Sequence, residues 1–90
     1  MSADRVILRR WPKKEGGGVI ALLPDCEANR GMVQSYEHIG QHGEASRDIV
    51  YRTAPARSTD PDARELLHEL RSIGYKPVIR RRLPSWRRSP

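Results

Sequence analysis

The sequence predicts a small α+β domain: an antiparallel sheet of four to five strands with one amphipathic helix packed on one face, in the order β-β-β-β-α-β. Three observations predict it. Short β-branched and apolar runs recur along the first half, separated by glycine- and proline-bearing turns. One later segment, residues 63–73, repeats its apolar side chains at helical spacing. With 90 residues, the chain has room for one domain only.

Residues 5–11 combine Val6, Ile7 and Leu8 with charged neighbours and read as the first strand. Residues 12–18 are a polar turn ending in Gly16, Gly17 and Gly18. Residues 19–23 are continuously apolar, as in a central strand, and complete a hairpin with the first. Residues 24–31 read as a loop, residues 32–39 as a third strand, and residues 40–47 as a glycine-bearing connection. Residues 48–53 read as a fourth strand with Ile49, Tyr51 and Thr53 on one face, and residues 54–59 as a linker. The helix is announced most clearly. Asp60 suits the N-cap and Pro61 the first helical position. Ala63, Leu66, Leu67, Leu70 and Ile73 mark one buried face, and Gly74 supplies the left-handed stop. Residues 76–82 read as a fifth strand with Pro77 near its start, which suits an edge. One helix covers one sheet face, so the other face is expected to be polar or to meet a partner. The domain is expected to span residues 1–83, and residues 84–90 to form a disordered basic tail.

Charge is unevenly placed. Residues 1–75 hold eleven basic and eleven acidic side chains; residues 76–90 hold six basic ones and no acid, which accounts for the net charge of +6. Such asymmetry points to an anionic partner for the C-terminal end. The single cysteine, Cys26, excludes an internal disulfide, and no apolar run approaches the ~20 residues of a membrane span. The first residues lack the charged and apolar regions of a signal peptide, so a cytoplasmic protein with no membrane partner is expected.

Arg80, Arg81, Arg82, Arg87 and Arg88 lie within nine residues, with Trp86 among them. Guanidinium forks match phosphate, and an exposed Trp stacks on unpaired bases. These six residues are the candidate nucleic-acid contacts, for RNA or DNA. A second cluster runs from Ser35 to Gly43. Tyr36 and His38 share one strand face, and Gly40 and Gly43 flank Gln41 and His42, so Tyr36, His38, Gln41 and His42 form a candidate ligand or partner surface. His38 and His42 match no established zinc spacing, and no metal or cofactor is expected. Cys26 lies between Asp25 and Glu27, which disfavours a reactive thiolate. His68 reads as a surface residue and Trp11 as core packing or edge capping. Gly16-Gly17-Gly18 lacks the Gly-Lys-Ser/Thr ending of a phosphate loop.

The blocks Val6-Ile7-Leu8-Arg9-Arg10-Trp11, Val19-Ile20-Ala21-Leu22-Leu23-Pro24, Ser35-Tyr36-Glu37-His38-Ile39-Gly40-Gln41-His42-Gly43, Thr53-Ala54-Pro55-Ala56 and Glu69-Leu70-Arg71-Ser72-Ile73-Gly74-Tyr75 resemble a family of small uncharacterised bacterial proteins. The resemblance covers residues 5–80 and carries no catalytic residues with it. It implies a ligand-facing role for Tyr36, His38, Gln41 and His42. The chain departs from that pattern after Arg82.

The expected function is a non-enzymatic binding module that contacts nucleic acid or another polyanion through its basic C-terminal strand and tail. An alternative is a protein-interaction or inhibitor module, such as a mobile-element accessory protein, using its sheet face or an edge strand to meet a protein partner or a second copy. A small enzyme or metal site at His38 and His42 ranks third.

Overall fold

Strands β1 (Asp4–Arg10) and β2 (Val19–Glu27) pair antiparallel as a hairpin in the computed structural model, which describes residues 4–27, 32–37 and 41–80. In the turn, Gly16 and Gly17 take φ of 107° and 68°, angles that side-chain-bearing residues adopt only at a cost. Strand β3 (Met32–Glu37) pairs with β2, and β4 (Gln41–Ser46) with β3, both antiparallel. Two short strands, β5 (Ala54–Pro55) and β6 (Pro77–Ile79), lie against the other edge of β1, with helix α1 (Pro61–Ser72) between them in sequence. The sheet order is β4-β3-β2-β1-β5, with β6 also on β1. The protein is thus α+β, an open, mainly antiparallel sheet carrying one helix.

Several elements differ from the expectation. Strand β2 continues to Glu27, where a loop was expected. Its register against β3 shifts between Leu23 and Glu27, since Pro24 has no N–H to give the ladder. Residues 41–46 form a strand and not a connection, paired with β3 from Glu37↔Gln41 to Met32↔Ser46. Their Gly, Gln and Glu content is poor for strands, and the neighbouring ladder overrides it. The expected fourth strand is instead a 3₁₀ helix over Arg47–Tyr51. Ile49 and Val50, adjacent in sequence, are both buried in the same cluster on one sheet face while Tyr51 is 63% exposed, whereas adjacent residues of a strand point to opposite faces. The last strand is only Pro77–Ile79 and runs parallel to β1, Asp4 opposite Pro77. Residues 84–90, the expected tail, lie outside the described residues.

Both sheet faces are apolar. Val6, Leu8, Val19, Ala21, Leu23 and Tyr36 meet Ala63, Leu66, Leu67 and Leu70 of α1. On the opposite face Ile7, Ile20, Leu22, Val33 and Ala45 cluster with Ile49 and Val50 of the 3₁₀ helix. The second face is therefore covered within the chain, correcting the expectation of a polar or partner-bound face. The 3₁₀ helix is fastened there by Arg9, 8% exposed, whose Nε donates to Thr53 Oγ1 at 2.9 Å and Nη2 to the Val50 carbonyl at 2.7 Å and to the Thr53 carbonyl. Burial pushes the Arg9 guanidinium below its ordinary pKa.

Arg10 ties the hairpin to α1. Its Nη1 donates to Asp62 at 2.8 Å and to the Gly17 carbonyl at 2.8 Å, and its Nη2 donates to Asp60 at 3.1 Å. Asp60 occupies the N-cap as expected, but its carboxylate serves Arg10 and not the helix backbone. The Arg10 bonds hold the Asp62 carboxyl below its ordinary value of 3.8. A depressed pKa contributes stability that is present above the ordinary value and lost as pH falls through the folded one. Asp62 is 49% exposed, so water screens the pair and its worth stays under about 1 kcal/mol. Urea unfolding of the wild type and Arg10→Ala should show a small gap at pH 7 that closes below pH 3.8. A gap that stays unchanged as pH falls further would mean that Arg10 acts through packing and the Gly17 carbonyl and not through the Asp62 carboxylate.

Candidate nucleic-acid interface

Helix α1 buries one stripe and presents another. Arg64, His68 and Arg71 follow the i, i+4, i+7 spacing of a single face, and all three are exposed. They open onto a groove of about 680 Å³ between α1 and β6, which Ser58, Ile79 and one acid, Glu65, also line. Arg57 is exposed in the segment that leads from β5 to α1, and Arg80 follows β6 directly. One side of the domain thus gathers Arg57, Arg64, Arg71 and Arg80.

Their lack of acidic partners distinguishes them. Arg5 forks onto Asp25 at 2.5 and 2.6 Å, Arg10 binds Asp60 and Asp62, and Arg52 lies 3.7 Å from Glu15 and over the Trp11 ring. Each of those charges is answered within the fold. Among the described residues, Arg57, Arg64, Arg71 and Arg80 form no ion pair. Arg80 is felt by Asp25, whose carboxyl is lowered chiefly by the Arg5 hydrogen bonds and to a lesser degree by Arg80. A group of unanswered guanidiniums on one surface attracts anions and releases counterions when one binds.

Of the residues singled out from the sequence, Arg80 belongs to this side. Arg81, Arg82, Trp86, Arg87 and Arg88 lie outside the described residues, as does His38. Tyr36 requires correction as a surface residue. It is 3% exposed, packed in the α1-side core, and its hydroxyl donates to Glu69 at 3.1 Å. Burial first, and then the Glu69 carboxylate, raise its phenol pKa. Strand alternation points Tyr36 at the helix, where an aromatic ring gains more from packing than from solvent. Gln41 and His42 are placed by backbone register opposite Glu37 and Tyr36. Among the described residues no group of three His, Cys, Asp or Glu side chains is arranged to hold a metal. Trp11 caps the hairpin, its Nε1 donating to Glu37 at 3.1 Å.

Sequence reasoning missed Arg57, Arg64 and Arg71, because they sit in a stretch whose charges sum to zero. The signal that finds Arg64 and Arg71 is the helical period itself, applied to the polar face. No helix among the described residues is long and apolar enough to cross a membrane. Compared with known proteins, the chain matches no family model, no curated protein and no solved structure.

Proposed function

We propose that this chain is a non-enzymatic module that binds nucleic acid in the cytoplasm through the side formed by α1 and β6 and through the basic segment that follows. The observation that carries this reading is the set of arginines without an ion pair among the described residues, Arg57, Arg64, Arg71 and Arg80, beside the point from which residues 81–88 continue with four more arginines and Trp86. The folded side supplies fixed charge, and the following segment supplies further phosphate contacts and an indole for stacking.

A second reading is a protein-interaction module. It draws on β4, which pairs with β3 on one side and forms the sheet edge on the other among the described residues. An open edge accepts an extended segment of a partner or of a second copy.

Fluorescence anisotropy with single-stranded RNA, single-stranded DNA and duplex DNA across a salt series separates the two. Full-length protein is expected to bind with a clear salt slope. Each of Arg64→Ala and Arg71→Ala should make that slope shallower by about 0.7 on single strands or about 0.9 on duplex. An unchanged slope in both variants would remove the α1 side from the interface. Absence of binding near physiological salt would end the nucleic-acid reading and leave the β4 edge.

A further inference from the structure

The outer edge of β1 is shared by two strands that do not meet. Strand β6 covers it at Asp4, Arg5 and Val6, and β5 at Arg9 and Arg10. The Arg80 N–H donates to the Val6 carbonyl at 2.8 Å and the Ala56 N–H to the Leu8 carbonyl at 3.1 Å, after which both segments turn away. Between them opens a cleft of about 630 Å³, within the ~300–1,000 Å³ of ordinary small-molecule sites.

Its lining divides into two chemistries. Ile79 gives it an apolar side, while Ile7 and Leu8, 2% and 4% exposed with their side chains in the cores of opposite faces, border it only as strand edge. Arg9, Arg57 and Arg80 with the hydroxyls of Ser58 and Thr59 form the polar part, and no acidic side chain lines the cleft among the described residues. Arg57 has no ion pair there, and Asp25, the acid that feels Arg80, is held by the Arg5 fork. Arg9 spends its Nε and Nη2 on oxygens of Val50 and Thr53, but no carboxylate answers its charge and its Nη1 donates no hydrogen bond among the described residues. Two guanidiniums without ion pairs beside two hydroxyls favour the anion of highest charge density. A phosphate monoester carries a charge of about −1.5 to −2 at pH 7, whereas an internal phosphodiester carries a single charge.

We propose that this cleft seats a nucleotide bearing a phosphate monoester, its phosphate on Arg57, Arg80, Ser58 and Thr59 and its nucleoside beside Ile79. The proposal rests on the nucleic-acid reading and sharpens it: the module prefers a phosphorylated strand end. The same chemistry is offered by a free nucleotide, and the experiment separates the two sources.

The full chain and Arg57→Ala, an exposed position, are titrated against one single-stranded sequence carrying a 5′-phosphate, a 3′-phosphate or neither. Adenosine monophosphate is titrated in parallel and followed through the arginine Nε–H resonances. A phosphorylated end should bind about tenfold tighter than the unphosphorylated strand, with that preference lost in Arg57→Ala. A saturable shift with the mononucleotide, without any preference among strands, would assign the cleft to free nucleotides. Equal strand binding together with no shift would overturn the cleft while leaving the nucleic-acid reading standing. No strand binding with a saturable shift would do the reverse.

Discussion

Leu70→Ala should destabilise the protein by about 2–5 kcal/mol, the range for removing a fully buried leucine and leaving a cavity. Leu70 is 0% exposed and belongs to the cluster that joins α1 to β1 and β2. A chain of this size buries only about 60–65% of its unfolded surface, so such a loss is a large part of its stability. The melting temperature should fall by at least about 8 °C, since each kcal/mol moves a domain of this size by about 4–8 °C. Ile73→Ala provides the contrast. Ile73 closes the same helix and continues its apolar period, yet it is 50% exposed. Its truncation should cost less than about 1 kcal/mol. Thermal melts of the three proteins decide the matter, and equal effects at the two positions would refute the packing of α1 described above.

Arg9→Ala should cost about 2–3 kcal/mol, although an arginine is being removed from a protein of net charge +6. The truncation leaves the Val50 and Thr53 carbonyls without their donor, at about 1–3 kcal/mol for such unsatisfied groups. It also removes the aliphatic stem from the second face. Arg9→Lys should fall between the wild type and Arg9→Ala, because a single ammonium cannot reproduce the fork that reaches Thr53 and Val50 together. Urea unfolding gives the order. Amide exchange gives the place: the Arg52 N–H, bonded to the Ile49 carbonyl at 3.0 Å, should exchange faster in Arg9→Ala as the 3₁₀ helix loosens. A change of less than 0.5 kcal/mol, roughly that of an ordinary surface substitution, would show that the 3₁₀ helix holds without Arg9.

The candidate interface was half visible in the sequence. The excess charge after residue 75 pointed to the C-terminal end, and Arg80 lies beside the arginines of α1. The lack of ion pairs at Arg57, Arg64 and Arg71 among the described residues was hidden, because counting charges along a chain cannot tell a paired guanidinium from an unpaired one. Arg5 and Arg10 look the same as Arg64 and Arg71 in sequence, yet the first two are answered by Asp25, Asp60 and Asp62. Tyr36 failed in the opposite direction. A block rich in histidine and glycine suggested a polar surface, but the alternation of β3 turns this one side chain into the core.

Local rules were enough for the β1–β2 hairpin and for α1. Continuous apolar runs, glycines able to take positive φ, Pro61 at the helix start and Gly74 at its end act within a few residues of themselves, so reading along the chain recovers them. Tertiary structure alone decided the rest. Residues 41–46 became a strand because β3 offered an edge, and residues 47–51 became a 3₁₀ helix because two adjacent apolar side chains, Ile49 and Val50, had an apolar sheet face to cover. The parallel placement of β6, the burial of Arg9 and the gap in the edge of β1 arise from pairings between residues far apart in sequence. Those pairings are chosen by the surface they bury together, a quantity that neither partner carries on its own.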